Sequence, residues 1–424
     1  MNPNLTRQLW RWTRGLLVIG CGIAIVTFLA RASQTLILPT AQVGLEMHTQ
    51  GHYMGERPEN LADVPWTLAP AHAASGEETI TMTTSDTPYK PDGSRSLDVY
   101  RCFVLNPNFK RDVMVTGAQV IPGNRRIVNH AILYKIEPNQ AADVRAKNKE
   151  TGGKGWDCFG GPGLSGNDPA TATAGGNWLS VWVPGTGDGH FPDGIGSSMG
   201  KGSLIVMEVH YNLNNGVGED RSEVKLSVAP AGAKLTPIAS QLRVAPVEIR
   251  CPDDIKTPEC TRENTLRENV ARAGELAGRM LPNGLLQLCG QTAAQYQIPV
   301  GDATRVVSTC EQKNPNDMTL YSIGGHMHLL AKSIKIELNP GTNSAKTLIH
   351  IPKWDFHWQG NYWFKTPVEV KRGDVIRMTC TFDNSVANQP VIAGKQTDPK
   401  YVMWAEATTD EMCLGILMAN VHAN

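Results

Sequence analysis

Short apolar runs rich in β-branched and aromatic residues recur along most of this chain, bounded by Gly, Pro or Asn. Such runs are typical of β-strands. They form two blocks without regular alternation of strands and helices, which favours an all-β chain with two consecutive antiparallel β-sandwich domains. The predicted strands are residues 78–83, 98–105, 128–136, 203–211, 224–228, 320–323, 328–338, 347–351, 368–370, 375–382 and 411–421.

One segment between the two blocks has the spacing of an amphipathic helix. Within residues 261–280, apolar side chains recur every three or four positions, and the sequence Pro282-Asn283-Gly284 is a stop signal. The pattern predicts a single helical insertion. Its apolar positions are Leu266, Val270, Ala273, Leu276 and Met280.

These elements divide the chain into five predicted parts. With 424 residues, 41% of them hydrophobic, the chain is long enough for two domains with packed cores. The parts are a targeting segment (1–32), a linker with an entering strand (33–95), a first sandwich (96–245), a helix-containing connection (246–317) and a second sandwich (318–424).

The first 32 residues differ in pattern from the rest. Three arginines precede an uncharged apolar run over residues 15–30, and the small-residue sequence A-R-A ends at residue 32. This is the pattern of a secretory signal peptide. The alternative is a retained hydrophobic helix that anchors the chain in a membrane. Both interpretations place the bulk of the chain in the periplasm or outside the cell, and in the second, residues 15–30 tether it.

Charge and cysteine content narrow the function classes open to this chain. It carries 40 basic and 40 acidic residues without a basic tract, so we expect no nucleic-acid partner. Of its nine cysteines, Cys21 lies in the apolar run, and eight remain. An even number in an exported chain predicts four disulfides. Spacing alone does not fix which cysteines pair.

The sequence His326-Met327-His328 is the first candidate for chemistry. Residues i and i+2 of a strand point to the same face, so the two imidazoles can bind one metal ion. The preceding Gly324-Gly325 lets the backbone bend and a second segment approach. The alternative interpretation is two polar side chains on a solvated strand face.

Met412 is a candidate third ligand. A thioether is a soft, neutral donor, and together with two imidazoles it favours Cu(I) over zinc. The alternative is an ordinary core methionine.

His130 and His210 form a further candidate pair. His130 lies in the predicted strand 128–136, and His210 shares one strand face with Leu204, Val206 and Glu208. Each histidine alone is also compatible with a buried, hydrogen-bonded side chain that binds no metal.

Several separated motifs together resemble one family, the copper type II, ascorbate-dependent monooxygenases, which include peptidylglycine and dopamine hydroxylating enzymes. The resemblance covers about residues 78–245 and 318–424 and is greatest to bacterial relatives. Its motifs are YRCFVL (100–105), PGNRRIVNHAILY (122–134), WDCFGGPG (156–163), WVPGTGDGHFPDGIG (182–196), VMEVHYN (206–212), GGHMHLLAKSI (324–334), KWDFHWQGNYWF (353–364), CTFDNS (380–385) and TTDEMC (408–413).

The resemblance implies two consecutive jelly-roll-like sandwiches with one copper each. In the second domain the family's His-x-His and distant Met correspond to His326, His328 and Met412, which would bind O2 and carry out C–H cleavage. In the first domain, which passes electrons, the later family histidine corresponds to His210.

The first-domain motif departs from the family. Of the adjacent His pair only the second survives, as His130, because Asn129 stands at the first position. Either the Asn129 oxygen or His190 on the Gly-rich loop would have to complete that site, so we expect one or two copper ions.

The resemblance also bears on substrate and on disulfides. Peptide hydroxylases of the family carry an Arg where this chain has Gly324, which argues against peptide C-termini as substrates. The resemblance implies the disulfides Cys102–Cys158 and Cys380–Cys413. Proximity along the chain suggests Cys251–Cys260 and Cys289–Cys310 for the rest.

Two functions follow from the sequence. The first is a copper monooxygenase that hydroxylates a C–H bond of a small molecule with O2 and ascorbate or another reductant. The second is a non-catalytic copper-binding or structural subunit of an envelope or membrane complex, motivated by Asn129 and the N-terminal segment.

Overall fold

A computed structural model describes residues 66–67, 76–94, 96–158, 161–164, 177–184, 189–296, 305–356, 359–392 and 394–422, all within one compact unit. The predicted N-terminal hydrophobic helix, in residues 1–32, lies outside these ranges. In the described part of the chain, no helix is both long enough and apolar enough to cross a membrane.

The chain is mostly β-sheet, as predicted. Its strands are β1 (Trp66–Thr67), β2 (Glu78–Thr83), β3 (Asp98–Leu105), β4 (Val113–Ile121), β5 (Val128–Ile136), β6 (Trp156–Asp157), β7 (Trp178–Trp182), β8 (Ile195–Met199), β9 (Leu204–Asn212), β10 (Glu223–Val228), β11 (Thr236–Pro237), β12 (Ala239–Val244), β13 (Glu248–Ile249), β14 (Arg305–Lys313), β15 (Met318–His326), β16 (Ala331–Leu338), β17 (Lys346–Ile351), β18 (Asn361–Val370), β19 (Val375–Asp383), β20 (Val391–Ile392), β21 (Lys395–Gln396), β22 (Val402–Met403) and β23 (Leu414–Val421).

The N-terminal half contains two five-stranded sheets that share an apolar core. Their strand orders are β6-β3-β9-β5-β7 and β11-β8-β4-β10-β2. Strand β9 is central and buried on both faces. Ile205, Met207 and Val209 point into the core between the sheets, so the alternate side chains, including Glu208 and His210, point to the opposite face.

The C-terminal half repeats this plan with a five-stranded sheet, β1-β18-β15-β23-β12, and a four-stranded sheet, β14-β19-β16-β17. In strand β19, buried and partly exposed residues alternate along the chain, so one face of the strand packs against the core and the other is nearer the solvent. Strand β12 lies within the predicted first domain (96–245) but pairs with β23 of this sheet. Two small two-stranded sheets, β13-β22 and β20-β21, complete the pairing.

The helices differ from the prediction in three ways. Helix α1 (Ala141–Glu150) was not predicted, because only Ala141 and Val144 are buried and its sequence has no apolar periodicity. The predicted insertion is helix α2 (Arg262–Glu275), interrupted at Gly274 (φ 78°) and followed by a π-turn (Leu276–Met280).

Pro282 does not end the helical segment. It occupies the first turn of the next helix, α3 (Leu281–Leu288), where proline is tolerated. A short helix, α4 (Ala293–Tyr296), follows.

Four disulfides form, as predicted. They are Cys102–Cys158, Cys251–Cys260, Cys289–Cys310 and Cys380–Cys413. Cys310 lies on β14, a strand that occurs within the predicted connection 246–317 and was not anticipated. The third disulfide therefore joins the end of α3 to the four-stranded sheet.

Candidate metal centre

His130 and His210 lie directly opposite each other on the neighbouring antiparallel strands β5 and β9. Side chains of opposed residues share one face of a sheet, so the two imidazoles meet. Their Nδ1 atoms are 3.3 Å apart. Burial holds the pKa of His130 well below its ordinary value, so this imidazole is neutral and offers a lone pair.

Asp98 fixes the orientation of His210. Its Oδ1 lies 2.8 Å from His210 Nε2. Burial opposes ionisation of Asp98, but the hydrogen bonds from His210 and Thr408 outweigh it and lower its pKa. The carboxylate therefore accepts a hydrogen bond from Nε2, which leaves Nδ1 as the ligand atom. The Tyr100 ring stacks on His210, with centroids 4.2 Å apart and planes 9° from parallel.

Asn129 contacts the first pair. Its Oδ1 lies 3.1 Å from Nδ1 of His130, the atom that faces His210. An oxygen at this place is close enough to the converging nitrogens to act as a weak third ligand.

His326 and His328 form a second pair where β15 ends. Their Nε2 atoms are 3.2 Å apart. The Nδ1 atom of His326 is bonded to the Gln359 side-chain oxygen, and that of His328 lies 3.1 Å from the Asp410 carbonyl oxygen. Burial lowers the pKa of His326 to about 4 and that of His328 to about 3, so both rings are neutral near pH 7.

Glu411 connects Met412 to the second pair. Its buried carboxylate accepts hydrogen bonds from the backbone N–H of His328 (2.8 Å) and of Met412 (3.2 Å). Strands β15 and β23 pair with His326 opposite Leu414. Met412 lies two residues before this paired position, and His328 lies two residues after it.

The two pairs adjoin each other. The ring centroids of His130 and His326 are 6.2 Å apart. The four imidazoles, two from each half of the chain, thus form one continuous cluster, in which three rings are buried and His326 is partly exposed.

The donor atoms fit metal ions. Two imidazole nitrogens bound at about 2.0 to 2.1 Å with tetrahedral angles lie about 3.3 Å apart. The observed separations of 3.3 Å and 3.2 Å agree with that value. Imidazole and thioether donors suit copper, and hydrogen bonds on the opposite ring nitrogens are typical of metal-binding histidines.

His190 is not brought to the first pair. Its Nε2 lies 2.9 Å from the Ser227 hydroxyl on β10 and 3.9 Å from a Glu77 carboxylate oxygen, in the other sheet of the N-terminal half. Of the two residues predicted to complete that site, the structure therefore places only Asn129 beside it.

Gly324 lies where two segments approach closely. A Cβ atom there would come within 3.0 Å of the Gly360 carbonyl oxygen. An arginine at this position would require a backbone shift, which agrees with the departure from the peptide hydroxylases noted in the sequence.

Several partners of the histidines were not identified from the sequence. Asp98, Gln359 and the Asp410 carbonyl are separated from their histidines by 112, 33 and 82 residues. Of these partners, Glu411 alone could have been found from the sequence, because it belongs to the TTDEMC motif.

Comparisons with known proteins identify the C-terminal part of the chain. Residues 282–423 match the family described as copper type II ascorbate-dependent monooxygenase, C-terminal domain. No curated protein matches the chain.

Solved structures give only weak similarity. An oxalate decarboxylase of Bacillus subtilis is 6% identical, with a TM-score of 0.15 over 88% of this chain and 80% of that one. Procruciferin, an 11S globulin of Brassica napus, is 8% identical, with a TM-score of 0.14 over 86% and 87%. The 11S globulin of Wrightia tinctoria is 9% identical, with a TM-score of 0.16 over 85% of each chain. Scores this low carry no argument about fold or function.

The family match and the histidine cluster agree in position, because His326, His328 and Met412 all lie within residues 282–423. Residues 282–423 are therefore similar to the C-terminal domain of the copper type II ascorbate-dependent monooxygenases, a family described as ascorbate-dependent and copper-containing.

Proposed function

We propose that this protein is a copper-dependent monooxygenase that hydroxylates a C–H bond of a small molecule. The balanced reaction takes the substrate C–H, O2, two electrons and two protons to the alcohol and water, with ascorbate or another reductant supplying the electrons. The observation that carries the proposal is the cluster of four imidazoles with two pairs of converging nitrogens.

The ligands divide into two sets. His326, His328 and Met412 would hold one copper, and His130 and His210, with the Asn129 oxygen, would hold the other. Copper supplies the one-electron redox chemistry that lets O2 react with a C–H bond. The protein fixes the imidazole orientations through Asp98, Gln359 and the Asp410 carbonyl.

Burial and proximity support the division of roles. His328 and His210 are only 3% and 1% exposed, whereas His326 is partly exposed, so both pairs are largely shielded from bulk water and the second is open on the His326 side. The His130 and His326 rings adjoin, so an electron delivered to the first pair has a short path to the second. Gly324 supports a substrate other than a peptide C-terminus.

The two halves would be β-sandwiches of jelly-roll type, and the protein would work in the periplasm or outside the cell. Four disulfides support export, because such bonds persist in oxidising compartments. Retention by residues 15–30 would tether the protein to a membrane.

Copper counting and isotope labelling test this function together. Elemental analysis of the wild-type protein is expected to find two copper ions, and 18O from labelled O2 is expected in the product formed with ascorbate and a responsive small molecule. Met412→Ala should retain its fold by circular dichroism and lose the labelled product.

The Asn129→His variant separates the two candidate functions. A wild-type protein that binds at most one copper, gains a second in Asn129→His and forms no labelled product would favour the non-catalytic copper-binding subunit. Labelled product that persists undiminished in Met412→Ala would contradict the proposed monooxygenase site.

A further inference from the structure

One loop contacts both imidazole pairs. The bridging loop, residues 405–412, lies between β22 and β23 and is closed by hydrogen bonds from Ala405 N to Glu411 O (3.2 Å) and from Asp410 N to Ala407 O (2.8 Å). Its conformation is therefore defined by its own backbone bonds as well as by its neighbours.

The C-terminal end of the bridging loop organises the second pair. The Asp410 carbonyl oxygen holds His328 Nδ1 at 3.1 Å, and the Glu411 carboxylate accepts from the backbone of His328 and Met412. The Asp410 side chain forms a salt bridge with Arg272 of helix α2 and accepts from Ala407 N at 3.0 Å. The helical insertion thus braces the same end of the loop.

The middle of the bridging loop reaches the first pair through Asp98. The Thr408 hydroxyl donates to Asp98 Oδ1 at 2.7 Å, and the Thr408 backbone N–H donates to Oδ2 at 3.3 Å. Asp98 Oδ1 is also the atom that holds His210 Nε2. Asn212 completes the contact with a hydrogen bond to the Thr408 hydroxyl at 3.2 Å.

We propose that the bridging loop makes copper binding at the two imidazole pairs mutually dependent, through the hydrogen bond that the Thr408 hydroxyl donates to Asp98 Oδ1. Metal at the second pair fixes His328 and Met412, and so fixes the loop that bears Thr408. An ordered Thr408 holds Asp98 in the position that aims His210 at its ligand site. Coupling between sites is reciprocal, so metal at the first pair strengthens binding at the second by the same factor.

This inference rests on the proposed copper sites, and a coupling measurement tests it separately from them. Affinity for Cu(I) is measured at each pair by competition with a chromophoric chelator, in the full protein and in variants that lack the other pair, His326→Ala/His328→Ala or His130→Ala/His210→Ala. The coupling factor is the ratio of the two affinities for one pair. We expect it to be about tenfold or more, within the range of about 5- to 150-fold usual for such coupling.

Thr408→Val removes the hydroxyl with little change in shape. We expect the coupling factor to fall to about one, as measured from either pair, with no change in the number of copper ions bound. Thr409→Val is the matched control, because it makes the same substitution in the next residue, whose hydroxyl contacts Lys400 instead. Thr408→Ser keeps the hydroxyl and is expected to restore the coupling.

The outcomes are distinct. If the wild-type protein binds no copper at either pair, the proposed function itself fails. If copper binds but the wild-type coupling factor is one, the inference fails alone. A factor that persists in folded Thr408→Val also overturns it and assigns the coupling to the direct contact of His130 with His326. If Thr408→Val does not fold, Thr408→Ala takes its place, where a factor of about one supports the inference and an unchanged factor overturns it.

Discussion

The two imidazole pairs are alike in ligand type and different in the groups that hold them. In the first pair, His210 is held through Nε2 by the Asp98 carboxylate and presents Nδ1. In the second pair, both rings are held through Nδ1 by neutral oxygens, those of Gln359 and the Asp410 backbone, and present Nε2. The second pair is also linked to Met412, because the Glu411 carboxylate accepts hydrogen bonds from the backbone N–H groups of His328 and Met412.

The charge of the hydrogen-bond partner affects which oxidation state of copper an imidazole pair would favour. A carboxylate partner raises the basicity of an imidazole ligand and so favours the more highly charged Cu(II). Neutral partners and a soft sulfur favour Cu(I), the state that reacts with O2. We therefore expect copper bound at the first pair to give up an electron readily and copper bound at the second pair to stay as Cu(I).

Removal of the thioether is expected to have the largest effect. Met412→Leu keeps the side-chain volume, so the fold should change little. Because loss of a partner outside the ligand set already costs about 10- to 100-fold, we expect loss of this ligand to lower O2-dependent product formation by more than about 100-fold. The measurement is labelled product formed per copper.

The buried core methionine Met318 provides the control. Met318→Leu should keep nearly full activity. Equal activity in both variants would show that Met412 is an ordinary core residue and would end the contrast between the pairs.

Neutralising Asp98 is expected to have the next largest effect. Asp98→Asn removes the charge but keeps the shape, and we expect the first pair to lose about 10- to 100-fold in Cu(II) affinity. Titration of Cu(II) followed by electron paramagnetic resonance measures this. Asp157→Asn is the control, because Asp157 is an 85% exposed partner of Arg101. An unchanged first-pair affinity in Asp98→Asn would mean that the carboxylate does not tune the metal.

The reverse change tests the same idea in the second pair. Gln359→Glu puts a carboxylate beside His326 Nδ1, and we expect Cu(II) affinity there to rise by less than about tenfold, because burial of the new charge opposes the gain. Redox titration should show a lower copper reduction potential. The exposed Gln396→Glu serves as control. A higher potential in Gln359→Glu would contradict the role assigned to neutral partners.

The smallest expected effect is that of pH on the second pair. The pKa values of about 4 and about 3 mean that protons do not compete for His326 and His328 above about pH 5. Copper affinity at this pair should therefore be the same at pH 7 and pH 5 and fall below about pH 4, as chelator competition can measure. A tenfold loss between pH 7 and pH 5 would show that the rings titrate normally.

The same pKa values set the sign of a stability effect. Between the ordinary pKa of 6.5 and about 4, the unfolded chain binds more protons than the metal-free folded chain. The free energy of unfolding of the metal-free protein should therefore fall as the pH is lowered through this window, which urea denaturation at several pH values can follow.

Much of the fold could be predicted because its signals are local. Strand β19 alternates buried and partly exposed residues, and the bounds predicted for β2 are the observed ones. Helix α1 was missed because its face is polar, and the end predicted at Pro282 was wrong because a proline in the first turn of a new helix causes no break.

The site was only partly predictable for a related reason. His326 and His328 share a face because of the two-residue strand period, which the sequence displays. The partnership of Asp98 with His210 depends on the pairing of β3 with β9, and its bond to Thr408 depends on a contact between the two halves of the chain. Neither contact produces a periodic pattern in the sequence. The position of His190 beside β10 of the other sheet likewise has no local sequence signal, so the sequence could not exclude it from the first pair.

The disulfide Cys380–Cys413 has a consequence for the compartment in which the protein can fold correctly. Cys413 is the immediate neighbour of Met412, and its partner belongs to β19 of the opposite sheet, so a covalent strut anchors the backbone that carries the sulfur donor. In the other half, Cys102, on the strand that begins with Asp98, forms a second strut, which ties it to Cys158 beside β6 of the same sheet. A chain folded in a thiol-rich compartment would lack both struts, so assembly of the metal centre is tied to the redox state of its surroundings.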